Sequence, residues 1–322
     1  MSGPGAEPTA PLRFIVGEEL AGQRVDAALA ALAGVPRSQV RHWIDAEAVT
    51  LAGTVVTRPS RKVAEGDVVE STPPAPVDTT LAAEDLPLAV IHEDPDLIVV
   101  DKAPGMVVHP APGHYTGTLV NALLHHCGDL AGVGGVLRPG IVHRLDRGTS
   151  GVMVAAKHDE AHRLLAEQFH DHTIERIYLT IVRGAPKQDS GRIDRPIGRH
   201  PRDRKRMSVR TRSGRAAATN WRVLERYRAL GHAYLEIRPE TGRTHQIRVH
   251  LSSAGLPIAG DDVYGRARRR SGRLPSLDHP ALHASVLGFT HPASGEQMRF
   301  EAPPPEDMQC LLEALRREEA AG

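Results

Sequence analysis

From Val25 onward apolar residues recur at spacings of four and three (Val25, Leu29, Leu32), the period of one helical face. Gly34 and Pro36 end that helix. Ser38 is placed to cap a second one that buries Val40, Trp43 and Ile44. The pattern then changes to strand-like runs, "AVTLAGTVV" and "VAEGDVVE", with Gly53 and Gly66 in turns. These features predict a small αα-β unit over residues 12–75, behind a Gly-, Pro- and Ala-rich disordered N-terminus, 1–11. The prolines of "STPPAPVDTTLAAEDLP" predict a semi-rigid linker, 76–88.

A larger unit is expected over 89–315, with a tail at 316–322. "LAVIHEDPDLIVVDK" predicts two strands around a turn at Asp94-Pro95, and "LVNALLHH" a helix. "GVMVAAK" predicts a strand, "AHRLLAEQF" a helix, and "ERIYLTIVRG", "AAATNWRVLER", "HAYLEIRPET" and "HASVLGFTHP" further strands. "HQIRVHLSSAG" predicts a helix ending at Gly255. Several strands follow one another with no helix between them. That favours an α+β fold with a mixed, largely antiparallel central sheet over a doubly wound one.

Composition changes this picture little. Hydrophobic residues are 40% of 322 but aromatics only 3%, so aliphatic side chains must do the packing. The net charge of +1 is uninformative, but its distribution is not. Residues 192–215 are rich in Arg and Lys, including Arg202, Arg204, Lys205 and Arg206, and a second cluster spans Arg266 to Arg273. Both fall between predicted elements and read as mobile basic loops. Arg37, Arg41 and His42 form a basic face on the second helix, a shape suited to RNA backbone or an ordinary solvated face. Two cysteines form no framework and suggest a reducing compartment. The eighteen histidines show no metal-ligand spacing. The N-terminus does not read as a signal peptide, and no apolar run reaches the ~20 residues of a membrane span. The expectation is a cytoplasmic protein with no metal, no cofactor and no membrane contact.

The chemistry concentrates in "HRLDRGTSG", 143–151, where Asp146 lies between Arg144 and Arg147. A lone carboxylate needs a cation to stay charged once water is excluded. Gly148 and Gly151 let the turn approach another surface closely. A capped turn tied down by arginine remains open beside a reactive carboxylate. "ETGRTHQIRVH", 240–250, places Arg243 on a turn from which it could reach Asp146. Strand alternation in "ERIYLTIVRG" puts Arg176 and Tyr178 on one face, where a tyrosine ring can wall a base-sized slot. His143, His245 and His250 read as structural or backbone-contacting residues.

Taken together, "VDKAPGMVVHP", "GIVHRLDRGTSGVMV", "ERIYLTIVRG" and "ETGRTHQIRVHLSSAGLPIAGDDVYG" closely resemble, in this order and over residues 89–305, the RNA pseudouridine synthases that modify ribosomal and transfer RNA. The first unit resembles the S4 RNA-binding module that precedes the catalytic domain in many members. "RPIGRHPRDRKRM" and "LHASVLGFTHP" resemble the branch acting on the large ribosomal subunit. "DKAPG" departs from the family, which more often has Lys-Pro at that turn.

The resemblance implies isomerisation of uridine to pseudouridine in large-subunit ribosomal RNA. That reaction oxidises nothing and donates no group, so no cofactor is expected, and a large asymmetric RNA needs no symmetric partner, so a monomer is expected. Transfer RNA is the alternative substrate, and a non-catalytic RNA-binding ribosome-assembly factor the alternative role. It implies Asp146 as the essential aspartate and Tyr178 as the tyrosine that stacks on the target base and helps remove the C5 proton. Arg243 is implied as the arginine paired with Asp146, and Arg144 as the filler of the space left by the flipped base. Ile247 is implied as the apolar wall, with His143 and Thr149 as further substrate contacts. RNA backbone contacts are expected from Arg37, Arg41, Arg202, Arg204, Lys205 and Arg206.

Overall fold

The structure is a computed structural model that describes residues 11–35, 37–73, 81–110, 115–128, 130, 140–203, 206–211, 213–265 and 274–321. The chain divides into two units, 1–80 and 81–322.

The first unit contains β1 (Leu12–Ile15), a short 3-10 turn, α1 (Val25–Ala33), α2 (Arg37–Asp45), β2 (Val49–Leu51), β3 (Thr54–Val55) and β4 (Val68–Ser71). Its sheet has the order β1-β4-β2-β3 and is antiparallel throughout. The helical periodicity buries Val25, Leu29, Val40, Trp43 and Ile44 against Val49, Leu51 and Val69 of the sheet. α1 ends on Gly34 in the left-handed conformation (φ 66°), as a glycine stop requires. α2 runs from Arg37 to Asp45, a span that includes Ser38. Asp26 is buried and accepts from both Arg24 and Arg37, which ties α2 to the start of α1. Arg37 and Arg41 are both exposed, Arg37 with its guanidinium held by Asp26.

The second unit continues with β5 (Ala89–Glu93), β6 (Leu97–Lys102), α3 (Leu119–Cys127), β7 (Ser150–Ala156), α4 (Asp159–His170), β8 (Glu175–Arg183) and β9 (Ser190–Asp194). A two-stranded ribbon, β10 (Gly198–Arg199) and β11 (Met207–Ser208), follows. Then come β12 (Ala218–Tyr227), β13 (His232–Pro239), α5 (Gln246–Ser253), β14 (Leu282–Thr290), β15 (Gln297–Glu301) and α6 (Glu306–Ala321). The main sheet runs β5-β6-β7-β14-β8-β13-β12-β9, with β15 also on β14. Every pairing is antiparallel except β7 with β14, so the expected mixed, largely antiparallel α+β architecture is the one observed.

Strand alternation explains the layering. Ile98, Val100, Met153 and Ala155 join Leu119 and Leu123 of α3 in one core. Leu97, Val99, Val152 and Val154 join Ala161 and Leu165 of α4 in another. A third core packs β8, β12 and β13 against α5 and α6 through Ile181, Tyr227, Leu235, Leu251, Leu311 and Leu315.

Two expected boundaries move. Residues 81–88 belong to the second unit rather than to a linker. Asn121 Nδ2 donates to the Ala82 carbonyl (2.7 Å), and the Glu84 N–H donates to the Asn121 carbonyl (3.0 Å). The expected tail at 316 onward is the last turn and more of α6, held by an Arg316–Glu225 ion pair.

Gly151 is required where β7 meets β14. Its φ is 117°, and a Cβ there would lie 2.2 Å from the Ala284 carbonyl oxygen, a backbone atom. Gly151→Ala should cost at least about 2 kcal/mol of stability, from overpacking and left-handed strain together. Urea denaturation measures this; a loss under half that value would show that β7 shifts aside freely.

Candidate active site

A cleft of about 530 Å³ opens between the 141–149 loop, the 239–248 segment leading into α5, and β8. His143, Arg144, Asp146, Thr149, Tyr178, Arg243 and Ile247 all line it. The structure thus gathers these seven residues from three distant stretches of sequence.

The loop bearing Asp146 is built from below. Lys102, only 1% exposed, donates to the carbonyls of Ala103 (2.8 Å), Met106 (3.0 Å) and Arg147 (3.3 Å). Burial lowers its pKa to about 8, against the opposing pull of the Asp146 and Asp101 charges. The Gly105 N–H also donates to the Arg147 carbonyl (2.8 Å), and the Thr149 N–H closes the turn on the Asp146 carbonyl (3.0 Å). A Cβ on Gly148 would sit 2.7 Å from Pro280 Cδ, so only glycine lets the turn come this close. The displaced proline of "DKAPG" leaves this anchoring in place.

The cation opposite Asp146 is Arg248. Its Nη1 donates to Asp146 Oδ2 at 3.2 Å, while Nε and Nη2 grip Asp261 at 2.7 and 2.9 Å. This corrects the expectation that Arg243 makes the pair. Arg243 lies on the turn ahead of α5, and its Nε donates to the Ala216 carbonyl (3.2 Å). Arg248 stands on the buried first turn of α5, where Asp261 fixes its guanidinium plane. Burial opposes its charge, but Asp261 and Asp146 more than offset this and raise its pKa. Burial likewise opposes the Asp261 charge, and the Arg248 fork with the Tyr264 and Val263 N–H groups lowers its pKa nevertheless.

Tyr178 stands on β8 between Ala284 of β14 and Ile237 of β13. Burial raises the pKa of its phenol, so it stays protonated near neutrality. Arg176, on the same face, has one long contact, Nη2 to the Pro239 carbonyl at 3.5 Å, and its buried Nε has no hydrogen-bond partner. Arg144, Arg176 and Arg243 carry no carboxylate partner among the described residues, so three cations face the cleft unneutralised.

The histidines differ. His143 stacks on Phe169 (4.3 Å) and its Nε2 accepts the Val154 N–H (3.1 Å). Burial and then Arg176 push its pKa down to about 3, which keeps that nitrogen free to accept. His250 is fully buried between Thr219 Oγ1 and the Arg195 carbonyl. His245 instead faces the cleft, with Nε2 3.9 Å from Asp146 Oδ2 and Nδ1 2.7 Å from the Tyr264 hydroxyl. The Tyr264 ring also lies under the guanidinium groups of Arg206 (5.3 Å) and Arg248 (5.0 Å).

Arg248, Asp261 and Tyr264 were not legible as site residues. A signal existed: Arg248 sits between Ile247 and Val249, and an arginine buried with such neighbours needs a carboxylate. Among the expected RNA contacts, Arg202 is exposed and Arg206 half-buried; Arg204 and Lys205 lie outside the described residues, as does Arg266 to Arg273. Arg192 is on β9 rather than in a loop, paired with Glu240 and Asp194.

Away from the cleft, Asp94, Asp96 and His291 are close enough to hold a metal ion. However, His291 Nδ1 accepts the N–H groups of Ala293 and Ser294, which puts the ring proton on Nε2, the atom facing Asp94. That nitrogen is a donor to a carboxylate, not a lone pair for a cation. Among the described residues, no helix is long and apolar enough to cross a membrane.

Residues 96–253 match the family described as RNA pseudouridylate synthase, and residues 23–69 match the S4 domain. The chain is 46% identical over 301 residues to an "Uncharacterized RNA pseudouridine synthase YlyB" of Bacillus subtilis (strain 168), covering 93% of this chain and 96% of that one. It is 45% identical over 305 residues to a "Ribosomal large subunit pseudouridine synthase D" of Zymomonas mobilis, covering 92% and 95%. Among solved structures, human RNA Pseudouridylate Synthase Domain Containing 4 superposes with a TM-score of 0.56 at 28% identity, over 71% of this chain and 93% of that one.

Proposed function

We propose, from the premise that the chain belongs to the RNA pseudouridine synthase family and is an isomerase of that class, that it converts uridines of large-subunit ribosomal RNA to pseudouridine. The observation that carries the mechanism is the Asp146–Arg248 contact, 3.2 Å long, at the wall of a cleft shared with Tyr178. The substrate class rests on relatives of the large-subunit type that align over nearly the whole chain.

The target uridine leaves its stack at a cost of a few kcal/mol, and the exposed Arg144 at the cleft mouth is placed to fill the gap. Unneutralised cations attract the phosphates, an attraction that salt weakens. Asp146 then acts on the ribose or the base. The N1–C1′ bond breaks, the uracil turns within the cleft, C5 bonds to C1′, and the C5 proton departs with help from Tyr178. One glycosidic bond replaces another, so neither an oxidant nor a group donor is consumed. The S4-type unit, through Arg37 and Arg41, docks the RNA. The enzyme acts as a monomer, because a large asymmetric RNA needs no symmetric partner.

The test is chromatography of nucleosides after incubation with a large-subunit ribosomal RNA transcript, an assembling subunit and transfer RNA. Pseudouridine in the ribosomal substrates is the expected product. Pseudouridine in transfer RNA alone transfers the reading to the alternative substrate, and free uracil as the main product rejects isomerisation.

A further inference from the structure

His245 adopts a backbone conformation that histidine rarely takes, with φ 56° and ψ 21°, at the first residue before α5. Strain of this kind persists where surrounding contacts impose it, and it clusters at functional sites. The side chain of His245 meets Tyr264. Its hydroxyl oxygen accepts the Met207 N–H (2.9 Å) and lies 2.7 Å from His245 Nδ1. The phenol has one proton to give, and Nδ1 is the acceptor in reach. The ring's own proton is then on Nε2. That N–H faces the cleft, 3.9 Å from Asp146 Oδ2, which is too long for a hydrogen bond and leaves the donor unspent.

Burial holds the imidazole below the usual histidine range. Asp146 and Asp261 pull it up, while Arg248 and Arg144 push it down. A neutral ring matters chemically. An imidazolium beside Asp146 would pair with the carboxylate and withdraw it from reaction.

We propose that His245 is a catalytic residue whose Nε2–H donates a hydrogen bond to a carbonyl oxygen of the uracil, with Tyr264 the positioning residue that fixes the tautomer. The inference rests on the pseudouridine synthase reading. When N1–C1′ breaks, the bonding pair stays with the uracil and spreads onto its carbonyl oxygens. The hydrogen bond strengthens as that charge grows, and no proton is transferred. When C5 bonds to C1′ the charge is discharged, and the bond returns to ordinary strength.

Nitrogen NMR of the full chain carrying ¹⁵N-labelled histidine reads the tautomer: Nε2–H is expected at neutral pH, and Nδ1–H overturns the proposal. Two substitutions read the function. In His245→Gln the amide N–H falls near the position of Nε2; in His245→Asn it falls near Nδ1. Asparagine tolerates the left-handed backbone better, so a purely structural role favours it. The proposal demands the reverse. Single-turnover pseudouridine formation should stay within about 10-fold of wild type for Gln and fall roughly 10²–10³-fold for Asn, with RNA affinity within about 3-fold for both. Asn as fast as Gln overturns it. Tyr264→Phe keeps the ring between Arg206 and Arg248 but frees Nδ1. A mixed tautomer and a rate loss of about 10-fold are expected; an unchanged tautomer and rate overturn the positioning role. A wild-type protein that forms no pseudouridine defeats the function itself, whereas an active wild type with Asn equal to Gln defeats only this inference.

Discussion

Asp146→Asn is expected to slow pseudouridine formation by at least ~10⁴-fold, about 5.5 kcal/mol of barrier, while RNA affinity stays within about threefold of wild type. The separation follows from what the substitution preserves. The amide has the size of the carboxylate, and its oxygen can still accept from Arg248. Arg248 itself keeps its two-pronged grip on Asp261, so no buried cation is abandoned. Folding stability should therefore change by less than about 1 kcal/mol. What disappears is the negative charge of the one carboxylate that, among the described residues, lines the cleft alongside Tyr178 and His245. Single-turnover rates with saturating enzyme, alongside filter-binding affinities, distinguish the outcomes. An Asn variant as fast as wild type removes Asp146 from the chemistry. A variant that loses RNA binding to the same degree as rate makes the residue a docking contact.

Much of the second unit was legible because its signals are local. Continuous apolar runs such as "LIVV" and "VMVAA" must be strands buried on both faces, and Gly151 announces a close approach whose partner, Ala284, only the fold supplies. The identity of the aspartate's partner was not local. Arg243 and Arg248 sit five residues apart in one motif. Which of them reaches Asp146 depends on where α5 begins and on Asp261, thirteen residues further on. The same limit explains Leu81 to Leu88. Pro87 and the prolines just ahead of it suggest a linker, and its place is set by Asn121 on a helix more than thirty residues away. α6 is different, since Met308, Leu311, Leu312 and Leu315 follow a helical period that is local and legible. The ribbon β10–β11, two residues to a strand, is too short to announce itself.

Arg248→Met should cost the enzyme both stability and activity, whereas Arg243→Met should cost little stability and no more than a modest part of RNA affinity. Arg248 is 8% exposed in its side chain and Asp261 is 0% exposed. Removing the arginine leaves Asp261 charged and unpaired in the interior, a loss of about 3–5 kcal/mol. For a unit of this size that lowers the melting temperature by roughly 6–20 °C. Asp146 loses its cation at the same time. Arg243 contributes one hydrogen bond to the Ala216 carbonyl at an exposed position, so its removal should cost less than about 1 kcal/mol. The double variant Arg248→Met with Asp261→Asn separates the two roles of the pair. The asparagine oxygen can still accept the Val263 and Tyr264 N–H groups, and no buried charge remains, so most of the lost stability should return. Activity should not return, because Asp146 still faces no guanidinium. A double variant that regains both shows the network to be scaffolding alone. Equal melting temperatures for the Arg248 and Arg243 single variants would mean that the geometry around Asp261 has been assigned to the wrong arginine.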